Sequence, residues 1–187
     1  MMERKTDLRV QKTRNAIRDT FKEMIIEKEA SEITVKELTE RAMIHRKTFY
    51  LHYTCIEALY EDILSELAEK YYEVIDQVPG DAPFTEVNRV FFEFMAAQEP
   101  YMEKIVCDYS YREFSDRFFM RMLQHNRSRH NPYAAFSQDE QNIINTFLGV
   151  SSVNLYRQWV QDGKSLPLND LIELSGKLFY TGISSVL

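Results

Sequence analysis

The chain has 187 residues, with 23 Lys+Arg against 29 Asp+Glu for a formal net charge of −6, and is 44% hydrophobic, the make-up of an ordinary globular domain. Five glycines and five prolines are too few for collagen-like, linker-rich or turn-rich all-β designs, and no glycine falls in a GxGxxG or GxxxxGK pattern, which removes the phosphate-cradling loops of nucleotide-fold enzymes. Cys55 and Cys107 supply no disulfide framework and no CxxC pair, the N-terminus has no apolar signal region, and no stretch reaches the roughly 18 apolar residues of a membrane span, so a cytoplasmic protein without a membrane partner is expected.

Helical spacing runs through almost the whole sequence. From Asp7 to about Lys28, Ile17, Phe21, Met24 and Ile25 share one face, with Arg9, Lys12, Arg14, Arg18 and Lys22 as basic surface. Val35, Leu38 and Ala42 mark a short second helix, and a third follows at Arg46. Ile56, Leu59, Ile63, Leu67, Tyr71, Val74 and Val78 then keep steps of three and four until Pro79-Gly80 stops the run. Further helices are expected over 84–98, 101–108, 111–125, 138–161 and 168–186, with Pro100, Pro132 and Pro167 between them. HNRSRHNP, 125–132, is expected as the one long loop. Ser or Thr followed three residues later by Glu occurs at Thr34/Glu37, Thr54/Glu57, Ser110/Glu113 and Ser137/Glu140, each where the periodicity restarts. In that pattern the hydroxyl accepts from the N3 amide while the glutamate reaches back to the cap amide. The fold class is therefore all-α: a head, 7–53, a connecting fourth helix, 54–78, and a helical body, 79–187.

Charge is unevenly placed along this frame. Residues 1–53 carry 12 Lys+Arg against 9 Asp+Glu, whereas residues 54–187 carry 11 against 20. A basic head on an acidic body suits a protein that meets a polyanion with one end.

Residues 34–53 read TVKELTERAMIHRKTFYLHY: a capped helix, a tight turn at Met43-Ile44-His45, and a second short helix. This is helix-turn-helix anatomy. At 100° per residue, Phe49 and Tyr53 share one side as core anchors, and Arg46, Lys47 and Tyr50 share roughly the other. Arg and Lys donate to guanine, and a tyrosine ring meets a thymine methyl. Thr34, Thr48 and His52 are better placed to hold phosphates, which fix register without reading sequence.

The stretch TVKELTERAMIHRKTFYLHYTCIEALYEDIL resembles the DNA-binding signature of TetR-type transcriptional regulators, over about residues 8–70, through the core T-F-Y-x-H-Y followed by E-A-L. The resemblance implies a homodimer on a double-stranded, near-palindromic DNA operator, with a small-molecule effector held in the body and no cofactor. Three positions depart from the family pattern. Met43 stands where glycine is usual, so the turn lacks the residue that takes φ > 0 freely. His45 stands where serine caps the recognition helix. Ile56 stands where lysine commonly meets phosphate, so one contact is lost.

Residues 84–187 hold 17 of the 24 aromatics, which makes the body the aromatic-rich part. The resemblance makes Phe94, Tyr109, Phe118 and Tyr156 candidate walls of an effector pocket, against the plainer reading that each fills the core. Phe147 and Trp159 on one broad apolar helix, and Leu178 and Phe179 on the next, are candidates for a two-fold interface, against intrachain packing. Gly149, Ser152, Gly176 and Gly182 permit close crossings there.

An enzyme is not expected. His45 and His52 belong to the helix-turn-helix, and His125 and His130 have no Cys or carboxylate at metal spacing, so no metal site is expected. Two readings follow: a ligand-relieved repressor, or a co-regulator of the same shape that acts mainly through another protein because its turn, cap and phosphate positions are weakened.

Overall fold

The structure is a computed structural model that describes residues 2–131 and 133–182, with side chains from residue 8 onward. Among these residues there are nine α-helices and no strand: α1 (Met2–Glu27), α2 (Val35–Arg41), α3 (Arg46–Tyr50), α4 (Ile56–Ile75), α5 (Phe84–Ala96), α6 (Pro100–Cys107), α7 (Arg112–Arg129), α8 (Gln138–Gln161) and α9 (Leu168–Thr181). Single 3-10 turns lie at Ala30–Glu32 and Tyr109–Tyr111. No helix among the described residues is long and apolar enough to cross a membrane. The expected end of the last helix at 186 and the breaker Pro132 lie outside the described residues.

The chain falls into two compact units, Met1–Glu66 with Pro100–Ser115 and Leu67–Glu99 with Asp116–Leu187. In the first, the α1 face expected from spacing is the core: Ile17, Phe21, Met24 and Ile25 are fully buried, with Leu38, Phe49 and Leu59. Each such side chain contributes about 1.5–3 kcal/mol on burial. Residues 100–115, which the sequence assigns to the body, belong to this unit. The Tyr111 hydroxyl donates to Lys28 O at 2.7 Å, beyond the end of α1, and the Lys22 ammonium lies 4.7 Å from the Tyr101 ring centre. Tyr60 of α4 meets Phe21 edge-on and stacks on Phe114 at 4.0 Å between ring centres.

In the second unit Phe92, Met95, Phe118 and Tyr156 are buried. A polar bridge crosses this core: Ser152 of α8 donates to Asn88 Oδ1 of α5 at 2.9 Å, and Asn88 Nδ2 donates to Ser175 of α9 at 2.8 Å. Pairing satisfies these buried groups and fixes the register of three helices. A Cβ on Gly149 would lie 2.1 Å from Leu123 Cδ2, so α7 and α8 approach closely there, whereas at Gly176 the nearest atom is an ordinary 3.5 Å away.

The expected loop over 125–132 is instead helix as far as Arg129. The polar residues that suggested a loop are held from α4 and the turn after it. His125 Nε2 lies 2.7 Å from Asp76 Oδ1 and its ring stacks on Tyr72, Asn126 Nδ2 donates to the Tyr71 hydroxyl at 2.7 Å, and Arg129 pairs with Asp76 at 3.2 Å. Of the four expected capping boxes, Ser137/Glu140 closes in both directions. Thr34 caps α2, accepting from Glu37 N, but the Glu37 carboxylate pairs with Lys28 and Arg41. The Ser110 hydroxyl accepts from Ala30 N, and the Thr54 hydroxyl points to Cys55 Sγ.

Candidate functional site

The helix-turn-helix is built by a Schellman turn. After α2 ends on Ala42, Ile44 N–H reaches Thr39 O at 3.0 Å and Met43 N–H reaches Glu40 O at 3.2 Å. That pair of bonds requires a left-handed residue at the corner. Met43 takes it, with φ 52° and a side chain 91% exposed. Methionine thus adopts under strain the conformation that glycine takes freely.

His45 opens α3 in extended conformation, and its carbonyl accepts from Thr48 N at 2.8 Å, but its imidazole makes no cap bond. Serine's usual job is left undone, so the imidazole stays on the exposed side. Arg46 and Lys47 are exposed, and Tyr50 is 47% exposed. Arg46 donates to the Tyr50 hydroxyl from Nε at 3.3 Å and from its terminal nitrogen at 3.1 Å. Its guanidinium also lies 5.6 Å from the Tyr50 ring centre. One helical turn therefore presents a cation and an aromatic ring as a joined pair. Thr48 and His52 are half-buried, and Thr34 is exposed but engaged as a cap.

The opposite side of α3 is anchored as its ring spacing suggests. Phe49 is fully buried, and Tyr53 is 6% exposed with ring centres 5.9 Å apart. Tyr53 donates to Asp62 Oδ2 at 2.7 Å and accepts from Arg14 Nε at 3.2 Å. Burial pushes its phenol above the usual tyrosine range, so it stays protonated and able to donate. Arg14 also pairs with Asp62, and Arg18 pairs with Asp62 at 3.1 Å and with Glu66. Two of the five basic residues read as open α1 surface are therefore spent on α4.

In the second unit a cavity of about 310 Å³ opens between α5, α7 and α8. Its lining mixes apolar side chains, Phe84, Val87 and Leu148 among them, with polar ones, Asn126, Arg127, His130 and Asn145 among them. None of the four expected wall residues lines it. Tyr109 lies in the other unit and is 88% exposed, on a 3-10 turn that holds its neighbour Tyr111 inward. Phe118 and Tyr156 are fully buried core residues, and the Tyr156 hydroxyl donates to Met95 O at 3.1 Å. Phe94 is half-buried against Tyr71, with ring centres 5.2 Å apart. Asn126, Arg127 and His130 of its lining escaped the sequence reading because 125–132 looked like loop.

The interface candidates separate in the same way. Phe147 is 57% exposed, in line with Ile143 and Val150 on α8. Leu178 and Phe179 are half-buried, and the Phe179 ring meets Phe84 and Phe147 edge-on. Trp159 is buried and donates to Leu166 O at 2.7 Å, so its ring and its N–H are both satisfied within the chain rather than presented to a second copy.

No protein-family model matches the sequence, and no curated protein matches it significantly. Solved structures do. A TetR transcriptional regulator from Streptococcus agalactiae superposes with a TM-score of 0.70 at 22% identity, covering 93% of this chain and 97% of that one. NalD from Pseudomonas aeruginosa, the secondary repressor of a multidrug efflux pump, superposes at 0.69 with 16% identity, covering 92% and 97%. FadR from Bacillus subtilis, solved with stearoyl-CoA, superposes at 0.68 with 15% identity, covering 90% and 98%. The chain has the all-α fold of TetR-type regulators.

Proposed function

We propose that this chain is a homodimeric, effector-responsive DNA-binding transcription regulator acting in the cytoplasm, a repressor released from a near-palindromic operator by a small molecule, and not an enzyme. The observation that carries the reading is the two-sidedness of α3. Phe49 and Tyr53 are buried against the supporting helices, while Arg46, Lys47 and Tyr50 stand exposed on a five-residue helix after a tight turn. Arg46 and Lys47 suit guanine edges, the Tyr50 ring suits a thymine methyl, and His45 and His52 suit phosphates. Exposed Ile143, Phe147 and Val150 on α8 and Tyr180 on α9 support pairing with a second copy. A dimer would offer two recognition helices to half-sites about one helical turn or slightly more apart. An effector would act through unequal affinity for the DNA-bound and released states.

A gel shift on the DNA upstream of its own gene, at low salt, tests this. Lys47→Ala or Tyr50→Ala is expected to abolish the specific shift while the sedimenting species stays unchanged. Absence of any shift with the wild-type protein sinks the reading. One feature favours the co-regulator alternative: Met43 and Leu51, 91% and 83% exposed, bracket α3 with apolar side chains suited to a protein partner.

A further inference from the structure

The outward side of α3 carries a side chain that neither bears charge nor fills the core. Leu51 is 83% exposed. It caps α3 in right-handed helical conformation, φ −76° and ψ −20°, and its N–H donates to Thr48 O at 3.2 Å, so the helical path runs on through it. At about 100° per residue, Leu51 lies about 200° round from the buried Phe49, almost opposite the anchored side. Lys47, four residues earlier, is exposed and stands beside it on that outward side. Arg46 and Tyr50 form the adjacent flank, joined by their own hydrogen bonds. The segment from Ala42 to Ile56 contains no Asp or Glu. Apolar exposure gathers in the same place. Of the seven large hydrophobic side chains exposed among the described residues of the first unit, Met43, Tyr50 and Leu51 fall within nine positions.

We propose that Leu51 is a specificity-determining residue that packs against the 5-methyl group of a thymine in each half-site of the operator. The inference rests on the DNA-binding reading of α3 and names what this part of it reads. A leucine side chain neither donates nor accepts, so it gains nothing from a phosphate oxygen or from the polar edges of guanine, cytosine and adenine. The thymine methyl is the apolar group that the major groove offers, and packing leucine against it removes both from water. A protein partner also covers leucine. Here, however, Arg46 and Lys47 stand next to it and no carboxylate lies between Ala42 and Ile56, which complements a polyanion.

The full chain is first used to select its operator from a random duplex library. Each thymine of a half-site, on either strand, is then replaced by deoxyuridine, which lacks only the 5-methyl. At one thymine the replacement is expected to weaken wild-type binding about fourfold in one half-site and about fifteenfold in both, the factors for one and two buried methyl-sized groups. Leu51→Ala should bind the thymine operator more weakly than wild type, and its thymine-to-deoxyuridine ratio at that position should fall below about twofold. Leu51→Met, which keeps an apolar reach, should keep most of the wild-type ratio. A methyl met by the Tyr50 ring instead retains its full effect in Leu51→Ala, which separates the two side chains. Because Leu51 is exposed, both variants are expected to fold, with circular dichroism unchanged. A half-site in which no thymine shows methyl dependence, or a dependence that survives Leu51→Ala in full, overturns the proposal. The second result with unchanged operator affinity leaves Leu51 to a protein partner. Failure of the wild-type chain to bind any duplex strikes the regulator reading and this assignment with it, whereas binding that ignores Leu51 and the methyl strikes the assignment alone.

Discussion

Replacing Met43 by glycine should stabilise the protein. An L-residue in the left-handed region costs about 1–2 kcal/mol, which glycine does not incur. Glycine gives back about 0.5–1 kcal/mol through the greater freedom of its unfolded chain. The Met43 side chain is 91% exposed, so its removal forfeits almost no burial, and the two turn bonds from Ile44 and Met43 are main-chain and survive. The net expectation is a gain of about 0.5–1 kcal/mol, or roughly 2–4 °C in melting temperature per kcal/mol for a chain of this size. Met43→Ala keeps the strain and should change stability by less than about 0.5 kcal/mol, whereas β-branched Met43→Val should lose stability. The one tryptophan, Trp159, lies in the other unit. The assay is therefore urea unfolding followed by far-ultraviolet circular dichroism, with hydrogen exchange of the α2 and α3 amides as the local readout. A glycine variant less stable than wild type, or an alanine variant that gains as much as glycine, would refute the strain argument.

Three further outcomes can be checked. Ile56→Lys, at the first turn of α4, should tighten operator binding and steepen the dependence of log K on log salt by about one unit, as one restored phosphate contact requires. Phe147→Glu should yield a monomer by analytical ultracentrifugation with unchanged helix content, and an unchanged dimer would exclude the exposed α8 face as the interface. Asp76 is held below the ordinary carboxylate value of 3.8, chiefly by its hydrogen bond from His125. A group with a depressed folded pKa stabilises above its unfolded value, and that contribution fades as pH falls through the folded one. Asp76→Asn should therefore flatten the acid limb of the stability profile below about pH 4. It should also lower stability near neutrality, measured by unfolding at a series of pH values.

Local signals carried much of the architecture and little of the cavity. The α1 core and the Phe49/Tyr53 anchors were legible because helical spacing alone puts those side chains on one face. The Ser137/Glu140 cap was legible because its partners are three residues apart. Segment 125–132 misled because His125, Asn126 and His130 bond to Asp76, Tyr71 and Val78, some fifty positions away, and composition cannot report such partners. Tyr109 and Trp159 show the converse failure. An aromatic ring in a helical body can face water or close a core with equal ease, and only packing settles which.

A single phenolic oxygen, that of Tyr53, accepts from α1 and donates to α4 directly after α3. Any swivel of the stretch carrying Asp62 must tow both neighbours or forfeit two charge-assisted bonds at once. On the function proposed above, α1, α3 and the start of α4 would then meet an operator of altered half-site spacing by turning as a block rather than by α3 bending alone.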